Sequence, residues 1–271
     1  MNGMKKITLL LFLVIAGKAF SQQAYPPIDL DLIVSSIDAA SGRRELSLEL
    51  LATKISKDDR VRMEKAIEDL NVSISRDRTN ATLFLERGLL KKQLSMWLDA
   101  TADVERALRN DPKKHEAHFY LSELWMMQGG RYNALTEIEQ YIKQYPDSAK
   151  GFYQKGLVLT FLTRAKVRNF KDQCTESIPE FEKAIALNPN YREALLVRGY
   201  CSQFLALFEL ALADYDKVLA SHPDDSLVYF LVGSFYDERK DVANACSSYT
   251  KARDLGAKVP DRILKRICPG K

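Results

Sequence analysis

Residues 192–225, REALLVRGYCSQFLALFELALADYDKVLASHPDD, and residues 226–257, SLVYFLVGSFYDERKDVANACSSYTKARDLGA, decide the fold of this chain. Placed one above the other, they align small residues with small residues and tyrosine with tyrosine at a spacing of 34 residues. The aligned pairs are Gly199 with Gly233, Ala211 with Ala245, and Tyr215 with Tyr249. A fixed period of this length indicates a repeat architecture.

Three series of residues carry the same period through most of the chain. Each series contains one interval of 43 residues instead of 34, so a nine-residue insertion lies between Gly156 and Ser177. The series are Gly88, Ser122, Gly156, Gly199 and Gly233; Ala100, Ala134, Ser177, Ala211 and Ala245; and Pro112, Pro146, Pro189 and Pro223. Agreement of three separate series on one period predicts five repeated units.

Each unit is predicted to form two antiparallel amphipathic helices. A small residue in the first helix lets the second helix approach closely, and a small residue in the second lets the next unit pack. Proline after Asn, Asp or His ends the second helix. Bulky apolar residues fill further inward positions: Phe84, Phe152, Leu195 and Tyr229 in first helices, and Val104, Ile138, Phe181, Tyr215 and Tyr249 in second helices. One helix pair cannot bury its apolar face alone, so the units must stack.

This spacing resembles the tetratricopeptide repeat (TPR) family, which has small residues at positions 8 and 20 of each unit and proline at position 32. Unit two departs most, with Ser122 for Gly and Tyr141 for Ala. The resemblance covers residues 79–257 as five units, 81–114, 115–148, 149–191 with the insertion, 192–225 and 226–257. It implies an all-α fold, a right-handed superhelix of about five helix-turn-helix repeats, which binds peptides or proteins on its concave face and has no catalysis.

The segment after the last unit resembles the helix that closes many TPR arrays. Gly256 is suited to end the last repeat helix in a left-handed conformation. A short amphipathic stretch, Pro260–Ile267, follows, and we interpret residues 258–271 as a capping helix and tail. The pattern around Cys246 and Cys268 resembles the last repeat of exported bacterial TPR proteins, which implies a disulfide between these two residues.

The other two cysteines, Cys174 and Cys201, fall on the second helix of unit three and the first helix of unit four. Those helices are neighbours in a superhelix, so a disulfide is feasible, and two buried free thiols are the alternative. None of the four cysteines lies in a CxxC motif, which disfavours a zinc knuckle or a thioredoxin-like site.

Residues 1–21, MNGMKKITLLLFLVIAGKAFS, have the order of a secretory signal peptide. Two lysines precede an apolar run over residues 7–16, and small residues stand at Ala19 and Ser21. The run is short of the ~20 residues that span a bilayer, which disfavours a membrane anchor. We expect export with cleavage to the periplasm, the cell envelope or the medium, and no transmembrane span after signal removal.

The segment 22–78 is less regular than the array and is interpreted as helical. Asp58 or Asp59 is expected to cap a helix that runs to about Ser75. Ala66 lies 34 residues before the next alanine of the second-helix series, so a degenerate extra unit is one interpretation. The insertion near residues 162–175 has two interpretations, a basic lip that contacts an acidic partner and a lengthened helix pair with a solvated face. The latter is favoured.

Charge and motifs exclude several classes of function. The net charge is +4, but without the three lysines of residues 1–21, 37 basic residues face 36 acidic ones, or +1. A chain so close to neutral lacks the excess of basic residues that is typical of nucleic-acid-binding proteins. The chain contains no GxxxxGK[ST], GxGxxG or GxSxG motif. His115 and His118 are three residues apart, one too few for HExxH. We therefore expect no catalytic residues, no cofactor and no metal.

The resemblance also implies where a partner would bind. In TPR superhelices the first helix of each unit lines the concave groove, mainly at positions 2, 5, 9 and 12. The groove residues chosen on this basis are Phe119, Tyr153, Leu157, Leu196, Tyr200 and Phe230. Such a surface suits an apolar or amphipathic peptide. The alternative is that the position 5 residues are partly core.

Two functions follow from these expectations. The first is an exported, non-enzymatic scaffold that binds a protein or peptide partner. The second is an accessory subunit of an envelope transport, secretion or enzyme complex, with an activity in residues 22–78.

Overall fold

The computed structural model describes residues 55–161 and 170–269. Within these ranges the chain forms twelve α-helices joined by short turns, and no strand. In chain order they are α1 (Lys57–Arg76), α2 (Ala81–Gln93), α3 (Trp97–Asn110), α4 (Glu116–Met127), α5 (Arg131–Gln144), α6 (Ala149–Phe161), α7 (Phe170–Leu187), α8 (Arg192–Phe204), α9 (Phe208–Ser221), α10 (Ser226–Glu238), α11 (Val242–Asp254) and α12 (Asp261–Ile267).

Helices α2 to α11 form five pairs, one for each repeated unit. The two helices of a pair pack against each other, and the second helix of each pair also packs against the first helix of the next. This alternation is the stacking that a 34-residue helix-turn-helix period requires, because each pair buries its apolar face only against its neighbours. The predicted all-α superhelix of helix pairs with a C-terminal capping helix is confirmed.

The glycines of the first helices permit close approach of the second helices. A Cβ atom placed on Gly156 would lie 2.5 Å from the ring of Phe181, and one on Gly199 would lie 2.7 Å from the ring of Tyr215. Contacts this short would force the ring or the backbone to shift. The predicted role of the small first-helix residue is therefore confirmed by the packing inside the units.

The core runs along the array as a row of fully buried second-helix residues. Its members are 0–2% exposed: Ala100, Val104, Ala134, Ile138, Phe181, Ala211, Tyr215, Ala245 and Tyr249. Two of the aromatic residues expected to point inward do not join this core. Phe152 and Tyr229 are only half-buried, and the ammonium groups of Lys183 and Lys251 lie 5.4 and 5.8 Å from their ring centroids.

The turn inside a unit contains a residue in the left-handed conformation. Gly129 has φ 75°, and the corresponding residues of three other units, Ser95, Ala206 and Lys240, have φ 61°, 60° and 61°. These positions continue the 34-residue period, but their residue types differ, so the sequence did not reveal the series. L-residues adopt this conformation at a cost of about 1–2 kcal/mol.

Helix α1 precedes the first unit and packs against its N-terminal end. Its residue Ile74 is buried in the core formed with α2 and α3. The helix begins two or three residues earlier than expected, because Ser56 caps it by accepting a hydrogen bond from the backbone N–H of Asp59 at 3.1 Å. The expected cap at Asp58 or Asp59 is therefore wrong. The first helix of the degenerate unit would fall before residue 55, outside the described residues, and so does the expected signal peptide.

Part of the insertion lengthens the second helix of unit three. Helix α7 has 18 residues, whereas the second helices of the other units have 13 or 14. The basic residues Arg164, Lys166 and Arg168 lie outside the described residues. The described portion of the insertion agrees with the lengthened helix pair.

The C-terminal segment closes the array as expected. Gly256 has φ 92° and ends α11 in the left-handed region. The chain then returns along the last unit, where Val259 and Ile267 are buried at 8% and 4% exposure. Arg266 of α12 donates two hydrogen bonds to the carboxylate of Asp237 on α10, at 2.9 and 2.6 Å.

Candidate functional site: the first-helix face

Hydrogen bonds and ion pairs link the first helices of successive units directly. Lys92 of α2 forms an ion pair with Glu123 of α4. Gln154 of α6 donates to Ser122 Oγ of α4 at 3.4 Å, and Gln203 of α8 donates to Ser234 Oγ of α10 at 3.5 Å. We call the surface formed by α2, α4, α6, α8 and α10 the first-helix face. These contacts make it one continuous surface within each of two stretches, units one to three and units four to five.

Four of the six predicted groove residues do not line this face. Phe119, Tyr153, Leu196 and Phe230 are buried, at 3%, 2%, 1% and 0% exposure. All four occupy position 5, so the alternative interpretation, in which position 5 belongs to the core, is the one the structure shows.

The physical reason for this correction is aromatic packing inside the units. The ring of Phe119 lies 5.2 Å from that of Tyr141, and the ring of Phe230 lies 5.4 Å from that of Tyr249. Position 5 therefore faces the second helix as well as the groove. An aromatic residue there is drawn into the core because burial of its large apolar area is favourable.

The other two predicted groove residues, Leu157 and Tyr200, are half-buried and remain accessible. Both stand at position 9, as does Glu123, whose side chain is 15% exposed. Position 9 thus presents one carboxylate, one aliphatic side chain and one phenol along α4, α6 and α8. This mixed surface is smaller and more polar than the sequence suggested.

The phenols on this part of the molecule are held in their neutral form. Burial raises the pKa of Tyr153 well above its usual value and also raises the pKa of Tyr191, and in both cases the nearby carboxylate of Glu193 acts in the same direction. The pKa of Tyr120 is raised by burial and then by Glu123. Tyr153 is buried, whereas Tyr120 and Tyr191 are half-buried, and their neutral phenols can donate hydrogen bonds to a polar ligand without adding negative charge.

Ion pairs between the two helices of a unit were missed in the sequence analysis. Arg198 donates to both carboxylate oxygens of Asp214 at 2.9 and 2.6 Å, and Arg87 makes the same fork to Asp103, with its Nε atom 2.8 Å from Oδ2. Burial raises the pKa of Asp214, and the hydrogen bond from Arg198 opposes that rise. The signal was available, because both pairs are separated by 16 residues and occupy the same positions of their units.

The structure pairs Cys246 with Cys268, as the resemblance implied, and pairs Cys174 with Cys201, the feasible pairing whose alternative was two free thiols. Cys174 is paired with Cys201 across α7 and α8, with Cα atoms 5.1 Å apart. Cys246 is paired with Cys268, with Cα atoms 5.3 Å apart. The first pair ties the lengthened part of α7 to unit four, and the second ties the end of α12 to unit five.

His115, the N-cap residue of α4, and His118 on that helix take part in ring packing and hydrogen bonding. His118 Nδ1 lies 2.7 Å from Glu137 Oε2, and the rings of His115 and His118 are 6.5 Å apart. In residues 55–161 and 170–269, no group of three or more His, Cys, Asp or Glu side chains is placed to hold a metal ion. No helix within the same ranges is both long and apolar enough to cross a membrane.

Comparison with known proteins identifies the repeats. A family model described as tetratricopeptide repeat matches residues 85–149 and 205–260. Superkiller complex protein 3 of Mus musculus is 28% identical over 148 residues, and the protein of the same name from Homo sapiens is 26% identical over 148 residues. Each match covers 54% of this chain, which spans only 9% of the length of these relatives.

Solved structures show the same fold at low sequence identity. YrrB, described as a TPR protein with an unusual peptide-binding site, matches with a TM-score of 0.55 at 21% identity, over 73% of this chain and 96% of that chain. PilW, described as a type IV pilus biogenesis factor, matches with a TM-score of 0.59 at 21% identity, over 69% and 85%. MamA matches with a TM-score of 0.53 at 21% identity, over 62% and 93%. Together with the 34-residue period and the stacked helix pairs, these matches show that the chain contains tetratricopeptide repeats and has the fold of a TPR solenoid.

Proposed function

We propose that this TPR protein is an exported, non-enzymatic scaffold that binds a protein or peptide partner on its first-helix face, in the periplasm or at the cell envelope. The proposal rests on the first-helix face and the side chains that it presents. Its first helices are linked within units one to three and within units four and five. It presents Leu157 on the first stretch, which also carries the charged pair Lys92–Glu123, and Tyr200 on the second. Half-buried apolar side chains next to charged groups are typical of surfaces that bind peptides.

One structural neighbour supports the same kind of ligand. YrrB shares the fold and is described as having a peptide-binding site. The groove proposed here uses position 9 rather than position 5, because the position 5 aromatics are core residues. An amphipathic peptide would place apolar side chains against Leu157 and Tyr200 and polar groups against Glu123.

The non-enzymatic part of the proposal rests on how the array uses its buried charges. Asp103 and Asp214 are the kind of desolvated carboxylate that catalysis can use, but each is held by an arginine from the other helix of its unit. These bidentate hydrogen bonds hold the two helices of a unit together. They also occupy the carboxylate oxygens that a general base would use to accept a proton from a substrate. Their role is therefore structural.

Export is supported by two independent features of the chain. Residues 1–21 have the charged, apolar and small-residue order of a signal peptide. All cysteines of the chain are paired in two disulfides, and such bonds persist mainly in oxidising compartments outside the cytoplasm.

Partner capture with a groove variant tests the binding proposal. The double variant Leu157→Ser with Tyr200→Ser removes the two predicted groove side chains that remain accessible at position 9. Affinity capture from native envelope extract, read by quantitative mass spectrometry, should lose the proteins that the unmodified chain enriches, by about tenfold or more. Circular dichroism must show that the variant retains its helices.

A matched control uses the same residue types outside the first-helix face. Leu187 and Tyr132 are 42% and 56% exposed and lie on second helices. The double variant Leu187→Ser with Tyr132→Ser should capture the same proteins as the unmodified chain. Equal capture by the groove variant and the control would contradict a partner site at position 9.

Intact-mass analysis tests export. The full chain is expressed in a bacterial host, purified from the periplasm without reductant, and weighed before and after reduction. We expect a product that begins near Gln22 and gains four hydrogens on reduction. A product that keeps residues 1–21, or that has four free thiols, would contradict export to an oxidising compartment.

A further inference from the structure

A cavity ringed by arginines lies at the N-terminal end of the array, between α1, α2 and α3. It is open to solvent and has a volume of about 320 Å³. Its apolar floor consists of the buried residues Ile74 and Phe84, and exposed Ala102 also lines it. Its rim carries Arg78, Arg106 and Arg109. Most of these residues lie on α1 and on the second helix α3, so the site, which we call the arginine cavity, is separate from the position 9 groove residues on α4, α6 and α8.

The only carboxylate that lines the described cavity is already neutralised. Asp103 accepts hydrogen bonds from Arg87, and Lys91 Nζ lies 2.8 Å from its Oδ2 atom. The side chain of Asp103 is 6% exposed, so it is held below the rim. Two cations therefore share this one acid, and the cavity has a net positive charge.

The rim arginines are available to a ligand. In the described ranges neither Arg78 nor Arg106 forms an ion pair, and both are exposed. The guanidinium of Arg106 lies 5.9 Å from the ring centroid of Phe84. Among the residues that the structure describes, Arg109 is paired with Glu105 alone, at 3.6 Å and on an exposed helix surface, where such pairs are weak and easily exchanged.

This combination is specific to the first unit. In α3 the two arginines, Arg106 and Arg109, occupy positions 26 and 29. The other second helices carry at most one cation at these two positions, for example Lys143 in α5 and Lys217 in α9. The repeat period therefore does not require the basic rim.

We propose that the arginine cavity binds an acidic segment of a protein partner, with one apolar side chain flanked by carboxylates. The apolar side chain enters the cavity and packs on Ile74 and Phe84. The carboxylates pair with the guanidinium groups of Arg78, Arg106 and Arg109, which bind carboxylates in a fork geometry. The charge complementarity selects the acidic partner, and the volume, at the lower end of ligand pockets, selects a single anchoring side chain.

Fluorescence anisotropy with short peptides tests this site in the exported protein. The probe is a fluorescein-labelled acidic peptide, Asp-Glu-Phe-Glu-Asp. The comparison peptides are Asp-Glu-Gly-Glu-Asp, which lacks the anchor, and Lys-Lys-Phe-Lys-Lys, which reverses the charge. At low salt the acidic peptide with phenylalanine should bind at least about tenfold more tightly than either comparison peptide. Binding of the three peptides with equal affinity would overturn the proposal.

Two cavity variants locate the peptide. Arg106→Glu with Arg109→Glu reverses two rim charges and should weaken binding by at least about tenfold. Ala102→Leu fills the cavity without a change of charge and should weaken binding by about fivefold or more. The second variant keeps the test decisive if the first fails to fold.

The control is a double variant with the same change of charge on other second helices. Lys143→Glu with Lys217→Glu alters two exposed lysines at equivalent positions and should change the affinity less than about twofold. An equal loss in this control and in the rim variant would show a general charge effect and overturn the site. Loss only in Leu157→Ser with Tyr200→Ser would place the peptide on the first-helix face, which also overturns it.

Discussion

The first two units and the last three fill the same repeat frame with different side chains. In units three to five a glycine of the first helix meets an aromatic ring of the second helix, as Gly199 meets Tyr215. In unit one, Gly88 faces Val104, and in unit two a serine replaces the glycine. Both disulfides also lie in the C-terminal half, the last three units and the cap.

This difference shows that the repeat period determines where two helices meet, but not which side chains pack between them. A flat ring lies directly over the first helix and leaves no room for a Cβ atom, so glycine is needed there. In unit one the aliphatic Val104 also leaves little room, since a Cβ atom on Gly88 would lie 2.9 Å from its Cγ2 atom. In unit two Ser122 is tolerated at 0% exposure. Because aromatic rings bury more apolar area, we expect the C-terminal half to depend more on single residues.

The largest expected effect comes from removal of one of these rings. Tyr215→Ala should lower the free energy of unfolding by about 4 kcal/mol, because it leaves a large cavity over Gly199. Val104→Ala, at the same position of unit one, should cost about 2 kcal/mol. Urea unfolding of the oxidised protein, followed by circular dichroism, measures both values.

The control for this comparison is Tyr132→Ala, which removes an aromatic side chain that is 56% exposed and should change stability by less than about 0.5 kcal/mol. Equal costs for Tyr215→Ala and Val104→Ala would show that the two halves of the array do not differ in the way the packing indicates.

A smaller effect is expected when the cap is released from unit five. The variant Cys246→Ser with Cys268→Ser opens a loop with a sequence separation of 22 residues and should cost about 3 kcal/mol. Because a repeat array unfolds locally, the loss should appear first as faster amide hydrogen exchange in α12 and α11. Helices α2 to α5 should keep their protection. Uniform loss of protection along the whole array would contradict a local role of the cap.

The smallest effect tests the left-handed turn residues. Ala206→Gly relieves a φ of 60° and should raise the free energy of unfolding by about 1 kcal/mol, whereas Gly129→Ala, with φ 75°, should lower it by about 1 kcal/mol. Nothing lies within 4 Å of a Cβ atom placed on Gly129, so the backbone conformation alone is tested. Thermal unfolding followed by circular dichroism measures both changes. Shifts of the same sign would contradict the shared turn geometry.

Most of the fold followed from the sequence because the repeat presents each structural constraint several times. The glycine series, the helix-ending prolines and the cap at Gly256 each depend on local chemistry that a single sequence displays. The groove was predicted less well. Whether a position 5 aromatic such as Phe119 faces a ligand or the core depends on the size of its neighbour, Tyr141, across the pair. Periodicity gives the angle of a side chain around its helix but not how deeply its neighbours cover it.

The arginine cavity is a second feature that periodicity in the sequence does not predict. A 34-residue period does not reveal Arg106 and Arg109, because the other units do not carry two cations at the equivalent positions. They become a group only when α1 is placed beside α3 and Phe84 forms a floor between them. A feature made by the junction of a regular array with an irregular segment requires the three-dimensional arrangement.

The disulfide that holds α12 against unit five affects how copies of this molecule can associate. An uncapped solenoid ends in an apolar surface that a further repeat, including one from another molecule, can join end to end. Here Ile267 and Val259 cover that surface, and the Cys246–Cys268 bond makes the cover covalent. While the bond is intact, a further repeat could join unit five only by displacing a covalently held cover. Under reducing conditions the barrier to such polymerisation becomes only noncovalent.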